Sequence, residues 1–504
     1  MVQRFLPTIS LEELNRLGAT MAGGSRVLLV VGPDQMRKPS APQLLAVERQ
    51  VSASQIEKYS DASEGLQNMP KPPGPGSIVK MEAKPEFGIT EWTLSNGVKV
   101  VLKPTQFKND EVRMAAFSPG GTSLVKDADY DTARYADDVV RQGGLGTLDA
   151  VSLHKAMTGK MANVNANIGE LEEELSGFAA PNDLEQMFQL IYWTMTSPRR
   201  DEPAFTAWRT RQAQQLKHRL LSPEVVFADE LHQLVTQNHL RRRPSTPEKV
   251  ERVDLDKALA IYKDRFGDAS DFTFMFVGNF TLEQAKPLVE NYLASLPAKA
   301  RKETYRDVGV NWPLGVKTKT VLKGSEPKSR VSLNFHDKLP FTREAEVDLR
   351  VLREVLRLRL REVLREDMGG VYGVSVGGSF HRRPKPEWDV NISFGCLPEN
   401  VEKLEAAVWE EIRAIQDHGV DESYLVKLKE ARRRTSETEL QDNGFWLKEL
   451  ERTYSFGDDP KQIGDITRFL GQATSDRVRA TAKKFLSKKQ YVLGVLKPEP
   501  KPQP

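Results

Sequence analysis

The strongest constraint in this sequence is a unit that occurs three times: a helical stretch with one apolar face, a short apolar run, then glycine. Residues 254–266 place Leu255, Leu259, Tyr262 and Phe266 on one face and lead into the apolar run 272–277 and Gly278. Residues 474–486 lead to 491–493 and Gly494, and residues 10–20 lead to 27–31 and Gly32. Ser10, Asp254 and Ser475 stand where N-caps belong. The glycines are 246 and 216 residues apart. Each interval therefore holds one whole domain, and the first copy is only a domain's last piece. The expectation is a chain that begins inside a domain, as a fragment or as a subunit of something split.

Residues 68–87 contain MPKPPGPGS and EAKPEF, too rich in proline and glycine for a regular helix or a central strand. They read as a linker. A weaker break lies at 297–315, and KPEPKPQP ends the chain as an extended tail. The expected division is 1–60, the closing piece of a preceding domain; 61–88, a linker; 89–298, a first full domain; 299–316, a second linker; 317–498, a second full domain; and 499–504, a tail.

Within the first domain, Asn96-Gly97 between alternating apolar residues makes 91–101 a hairpin. A strand at 112–118 and helices around 133–141 and 184–195 follow. The second domain reads as a strand at 330–335, a long helix at 344–365, and strands at 371–380 and 388–394. In the last of these Trp388, Val390, Ile392 and Phe394 alternate. This order predicts an α+β fold of two tandem homologous domains, each an antiparallel sheet covered by helices on one face, preceded by the end of a third.

Composition excludes more than it specifies. A chain of 504 residues needs more than one core. The balance of 73 Lys+Arg against 70 Asp+Glu gives no reason to expect nucleic acid as a partner. The basic runs 241–243 and 432–434 read as solvated faces. The single cysteine, Cys396, excludes an internal disulfide and a Cys-rich metal cage, and reads as a packed thiol. No window approaches eighteen apolar residues, so no membrane insertion is expected, and residues 1–14 lack the pattern of an export signal.

Three phrases, taken in order and spacing, resemble the pitrilysin/insulinase family of zinc metallopeptidases over residues 92–496. They are LSNGVKVVL at 94–102, YKDRF running into FTFMFVGNF at 262–280, and LREDMGGVYGV at 364–374. The likeness is to the family's non-catalytic C-terminal half. Active members carry H-x-x-E-H on the first long helix after the Asn-Gly hairpin, where two imidazoles one turn apart reach one zinc at about 2.0–2.1 Å. Here the matching residues are Tyr135, Ala136, Asp137, Asp138 and Val139, with Asp138 in the glutamate's place. The resemblance thus implies a chain with no catalytic residues, no metal ligands and no cofactor of its own, inactive alone. The zinc is expected in a catalytic partner or in a missing N-terminal half.

The seven histidines offer no substitute site. His232 and His239 are seven residues apart, roughly 10 Å along a helix. His154, His218, His336, His381 and His418 are isolated in sequence and read as surface or hydrogen-bonded groups. No serine or cysteine triad signature is present. The family's C-terminal halves also carry an arginine followed seven residues later by a tyrosine, which the resemblance places at Arg365 and Tyr372 and assigns to the backbone of a bound peptide. From the residues alone, Arg365 complements a helix C-terminus and Tyr372 is a strand aromatic. The function implied is the peptide-enclosing half of a heterodimeric zinc endopeptidase, periplasmic if the assembly is an exported bacterial one. The alternative is a scaffold subunit with no role in proteolysis.

Overall fold

The computed structural model describes residues 8–22, 27–32, 38–55, 62–463 and 470–500. The side chain of Tyr372 lies outside this description. The chain divides into two units, residues 1–60 and 61–504. In the first, helices α1 (Leu11–Ala22) and α2 (Ala41–Ala53) form. Ser10 caps α1 reciprocally: its Oγ accepts the Glu13 amide at 3.2 Å, and the Glu13 carboxylate accepts the Ser10 amide at 2.9 Å. The strand expected at 27–31 does not form, and Val27 is 96% exposed. A strand needs a neighbour to take its backbone groups, and none is offered among the described residues of this unit.

The second unit holds two sheets. The first has seven strands: β1 (Ile78–Lys84), β2 (Ile89–Leu94), β3 (Lys99–Pro104), β4 (Val112–Pro119), β5 (Ala162–Ile168), β6 (Glu172–Ala179) and β7 (Thr273–Gly278). Their order across the sheet is β1-β2-β3-β7-β4-β6-β5. The second sheet comprises β8 (Val316–Leu322), β9 (Ser329–Lys338), β10 (Val371–His381), β11 (Glu387–Cys396) and β12 (Tyr491–Lys497), in the order β10-β11-β9-β12-β8. Each sheet is antiparallel except for one parallel pair, β3 with β7 and β8 with β12. Read from those pairs outward the two orders coincide, so the sequence repeat is a repeat of topology, with β5 and β10 as equivalent edges.

Strand β1 corrects the linker reading, since it lies inside 61–88 and pairs with β2 from Lys84↔Ile89 to Ile78↔Leu94. The proline-rich stretch before it is also held. Met69 is buried, the Pro70 carbonyl accepts the Trp193 indole N–H at 2.8 Å, and the Gly76 amide donates to the Glu290 carbonyl at 2.9 Å.

The helices follow from apolar spacing and caps. Those of the first repeat include α3 (Ala136–Gly143), α4 (Ala150–Ala156), α5 (Leu184–Thr196), α6 (Glu202–Arg219), α7 (Pro223–Val235) and α8 (Leu255–Phe266). Those of the second are α9 (Arg343–Arg361), α10 (Val401–His418), α11 (Glu422–Glu439), α12 (Asn443–Phe456) and α13 (Ser475–Phe485). Asp254 caps α8, accepting the Lys257 amide at 2.7 Å. Thr474 rather than Ser475 caps α13, because the Ser475 hydroxyl is bound to the Val420 amide and carbonyl. One face of the first sheet packs on α5 and α8, with Phe188 stacked on Phe276 at 4.9 Å. One face of the second packs on α9, α10 and α13.

The expectation of sheets covered on one face is incomplete, because each repeat lends a helix to the other's sheet. Helix α12 lays Trp446 and Leu450 on Ile89, Val101, Phe117, Met275 and Val277 of the first sheet. Helix α7 lays Phe227 and Leu231 on Val321, Val492 and Leu496 of the second. The repeated glycines serve this packing differently. A Cβ on Gly494 would stand 2.9 Å from Leu231 Cδ1, whereas Gly278 holds φ +148° and a Cβ there would meet the Glu111 carbonyl at 2.3 Å. Polar ties reinforce α12: Thr105 donates to Asn443 at 2.6 Å, Asn443 donates to Glu111 at 3.1 Å, and Lys103 Nζ lies 3.8 Å over the Trp446 ring.

The seam has a pH consequence. Burial, with Glu174 and Glu172 of β6 nearby, pushes Glu451 of α12 up to about 7. A carboxyl raised in the folded state favours folding below its unfolded pKa and loses that contribution as pH rises through about 7. Glu451→Gln is expected to stabilise the protein at pH 8 by on the order of 1–2 kcal/mol, after discounting for partial exposure, and to be neutral at pH 4. Urea unfolding of both proteins at the two pH values checks this. Equal stability at pH 8 would refute it.

The two basic runs differ. Arg433 and Arg434 pair with Glu430 and Glu437 on a solvated face of α11, as expected, whereas Arg432 is partly buried and pairs with Glu439. Arg241 departs from that reading: its guanidinium is buried and donates to the Thr122 and Val125 carbonyls at 2.7 and 2.6 Å and to Asp127 at 2.8 Å. Cys396 is a packed thiol, and burial pushes it up to about 11.

Candidate functional site

Helix α9 buries Val347, Val351, Leu352, Val355 and Leu360, then widens into one looser turn, Glu362–Asp367, before it stops. The stop is a glycine cap. Gly369 takes φ +59°, open to glycine at no steric cost, and the Gly370 amide returns to the Leu364 carbonyl at 3.1 Å. Arg365 lies on that turn, exposed, and among the described residues it makes no hydrogen bond or ion pair. Its neighbours are engaged: Arg357 by Glu354, Arg359 by Glu411 and Glu362, Arg361 by Glu366. Two residues past the Gly369-Gly370 turn, Tyr372 falls on β10 at a break in register, since Val371 pairs with Cys396 and Val374 with Phe394.

Beside the start of β10 opens a groove of about 1210 Å³. Gly373, Ser375, Ser393 and Gly395 line it, with Arg330 of β9 and with Pro223 at the head of α7. Charged residues stand among these small ones, Glu224, Lys323, Glu326 and Lys328, and on the same strands Asn391 reaches Ser332 at 2.8 Å and Asn334 at 2.7 Å. Sequence reasoning missed this surface. Its only signal was the polar half of the alternation in 388–394 and 330–335.

At the zinc-motif position the expected helix 133–141 is broken at residues 134–135, and each key position has a local task. The Tyr135 hydroxyl donates to Ser245 at 2.6 Å. Asp138 accepts the Trp208 indole N–H at 2.6 Å and pairs with Arg141. Val139 is in the core. Asp137 lines a separate cavity, where burial pushes its carboxyl up to about 6. These residues do not fit zinc: no imidazole stands at either ligand position, and the carboxylate in the glutamate's place is held by an indole. Among the described residues no group of three or more His, Cys, Asp or Glu could hold a metal ion.

The histidines are not brought together. His239 bridges the Arg241 amide and the Val308 carbonyl, His381 meets Asp389 at 2.9 Å, and buried His336 stacks on Trp312 at 4.5 Å. Burial holds His336 down at about 4.

Comparison with known proteins gives a consistent picture. Residues 252–432 match the family described as the peptidase M16 inactive domain. The chain is 25% identical over 456 residues to a zinc protease PQQL-like protein of Arabidopsis thaliana, covering 85% of this chain and 45% of that one. It is 24% identical over 501 residues to the probable zinc protease PqqL of Haemophilus influenzae, covering 98% and 53%. The periplasmic protease PqqL from Escherichia coli superposes with a TM-score of 0.75 at 22% identity, over 92% of this chain and 51% of that one. A peptidase M16 inactive domain from Pseudomonas fluorescens gives 0.66 at 16% identity, over 82% of this chain and all of that one. These structural likenesses concern the fold. The chain spans about half the length of the curated relatives it matches.

Proposed function

From the premise that this chain is a member of the pitrilysin/insulinase (M16) family with an inactive domain over 252–432, we propose that it is the non-catalytic, peptide-enclosing half of a zinc endopeptidase. The observation that carries the reading is the pairing of that inactive-domain match with coverage of only about half of the PqqL-type relatives. The zinc belongs, in this reading, to another half or subunit. The residues at 135–139, occupied by structural contacts, support assigning this chain binding rather than chemistry. Residues 1–60 would then close a domain of the missing half, where the apolar run 27–31 would find its strand partners.

Peptide binding is assigned to the groove beside β10 with Arg365 and Tyr372. An unpaired guanidinium on a rigid turn can donate to a peptide carbonyl, and a phenol two residues past the Gly369-Gly370 turn can share it. Tyr372→Phe is expected to weaken peptide affinity by about 0.5–1.5 kcal/mol, and Arg365→Ala by about 1.5–3 kcal/mol, with thermal unfolding unchanged. The measurement is peptide affinity, or cleavage after mixing with a zinc-bearing half. A stable complex whose cleavage is indifferent to this chain and to both substitutions would support the scaffold reading instead.

A further inference from the structure

The cavity lined by Asp137 has a volume of about 340 Å³, in the range that small ligands occupy. One part of its wall is apolar, from Val140 of α3, Leu145, Leu153 of α4, Met157, Val164 of β5 and Leu190 of α5; the rest is polar. The Tyr262 hydroxyl on its lining is already donated to the Thr194 carbonyl at 3.0 Å. The Asp137 carboxylate differs. Among the described residues no side chain donates to it; Arg141 shares the lining and favours its charged form, but burial outweighs that influence. A largely buried carboxylate whose nearest cation, Arg141, is bonded to Asp138 instead is costly unless a second cation arrives with the ligand.

We infer that this cavity binds a primary ammonium carried on an aliphatic body, with Asp137 as counter-ion and the wall from Val140 to Leu190 around the apolar part. Two sources share that chemistry: a free alkylamine, and the uncapped N-terminus of a peptide that begins with a leucine-sized residue. The other charged groups do not duplicate the role. On α3, Asp138 and Arg141 are paired with each other; on α4, His154 is exposed at the rim; on α8, Tyr262 is neutral and its hydroxyl is spent. From β5 and α5 come only Asn163, Asn165 and Thr194 as polar neighbours. The inference is independent of the peptide groove at β10, so either can fail alone.

Binding should ionise Asp137, whose carboxyl burial holds at about 6, and displace its proton. Affinity for the ammonium should therefore rise about tenfold between pH 5 and pH 7. The test is titration calorimetry on the full chain with four probes: n-hexylammonium, hexan-1-ol, leucyl-leucinamide and its N-acetyl form. The ammonium probe should bind at least tenfold tighter than the alcohol at pH 7, and Asp137→Asn should abolish that preference while thermal unfolding holds or improves. Binding of leucyl-leucinamide but not its N-acetyl form points to a peptide terminus, whereas binding of hexylammonium alone points to a free amine. If hexylammonium binds the parent protein no tighter than hexan-1-ol, the inference is wrong, whatever the variant does.

Discussion

Leu450→Ala should remove about 3–5 kcal/mol of stability, the cost of deleting a fully enclosed leucine and leaving a cavity that cannot collapse. Leu450 is 0% exposed, and it sits on α12 of the second repeat while the residues around it belong to the first sheet. The loss should therefore appear far from the mutated helix in sequence. Amides of β2, β3, β4 and β7 should exchange faster, and urea unfolding should remain one transition at lower midpoint. Val426→Ala on neighbouring α11, a residue 58% exposed, should shift stability by no more than about 0.5 kcal/mol. A Leu450→Ala loss below about 1 kcal/mol would mean that α12 is a loose cover and that the exchanged packing contributes little.

Arg241→Ala should cost about 2–3 kcal/mol, through a different physical route. The guanidinium donates to the Thr122 carbonyl, which also takes the Val125 amide, and shares the Val125 carbonyl with Arg306; it also pairs with Asp127 and lies 4.9 Å from the Tyr130 ring. Truncation takes one of two donors from each of the Thr122 and Val125 carbonyls and the cation from over the Tyr130 ring, while Asp127, largely exposed, recovers its own hydration. Arg241→Lys separates charge from shape. A single ammonium cannot reach three acceptors in a planar fork, so it should restore less than half of the loss. If the lysine variant matches the parent in urea unfolding, the charge alone matters and the fork geometry does not.

What could be read from the sequence was local. Asn96-Gly97 announced its hairpin because a tight turn needs positive φ there, and Gly97 takes φ +93°. Trp388 to Phe394 announced a strand because one side of it is core. The same alternation concealed the other side, where Ser393 joins the lining of the groove and Asn391 bonds to Ser332 and Asn334. Helices α7 and α12 were invisible as exchanged elements, since periodicity tells which residues want burial and not which sheet will bury them. Arg241 was misread for a related reason: three successive arginines look alike until the chain curls three oxygen acceptors around one of them. The run at 27–31 has strand composition, but its pairing depends on strands that its own unit does not supply. At the candidate site, Arg365 and the cap at Gly369 were legible from the helix-end signal, while the cavity of Asp137 depends on five elements that no short window contains.

The exchange of α7 and α12 also dictates an order of events as the chain is made. The first sheet has all its strands once residue 278 has emerged, yet the cover for its second face is still unsynthesised, and the ties that seat it join residues 338 positions apart. Until α12 arrives, Ile89, Val101, Phe117, Met275 and Val277 stay wet, and Phe227 and Leu231 wait in turn for β12. Such distant closures are slow, and the bare faces that precede them are complementary to the same helices of any neighbouring copy. The price of one continuous body from two repeats is thus a window during synthesis in which two growing chains could trade arms, closing as α12 and then β12 find their places.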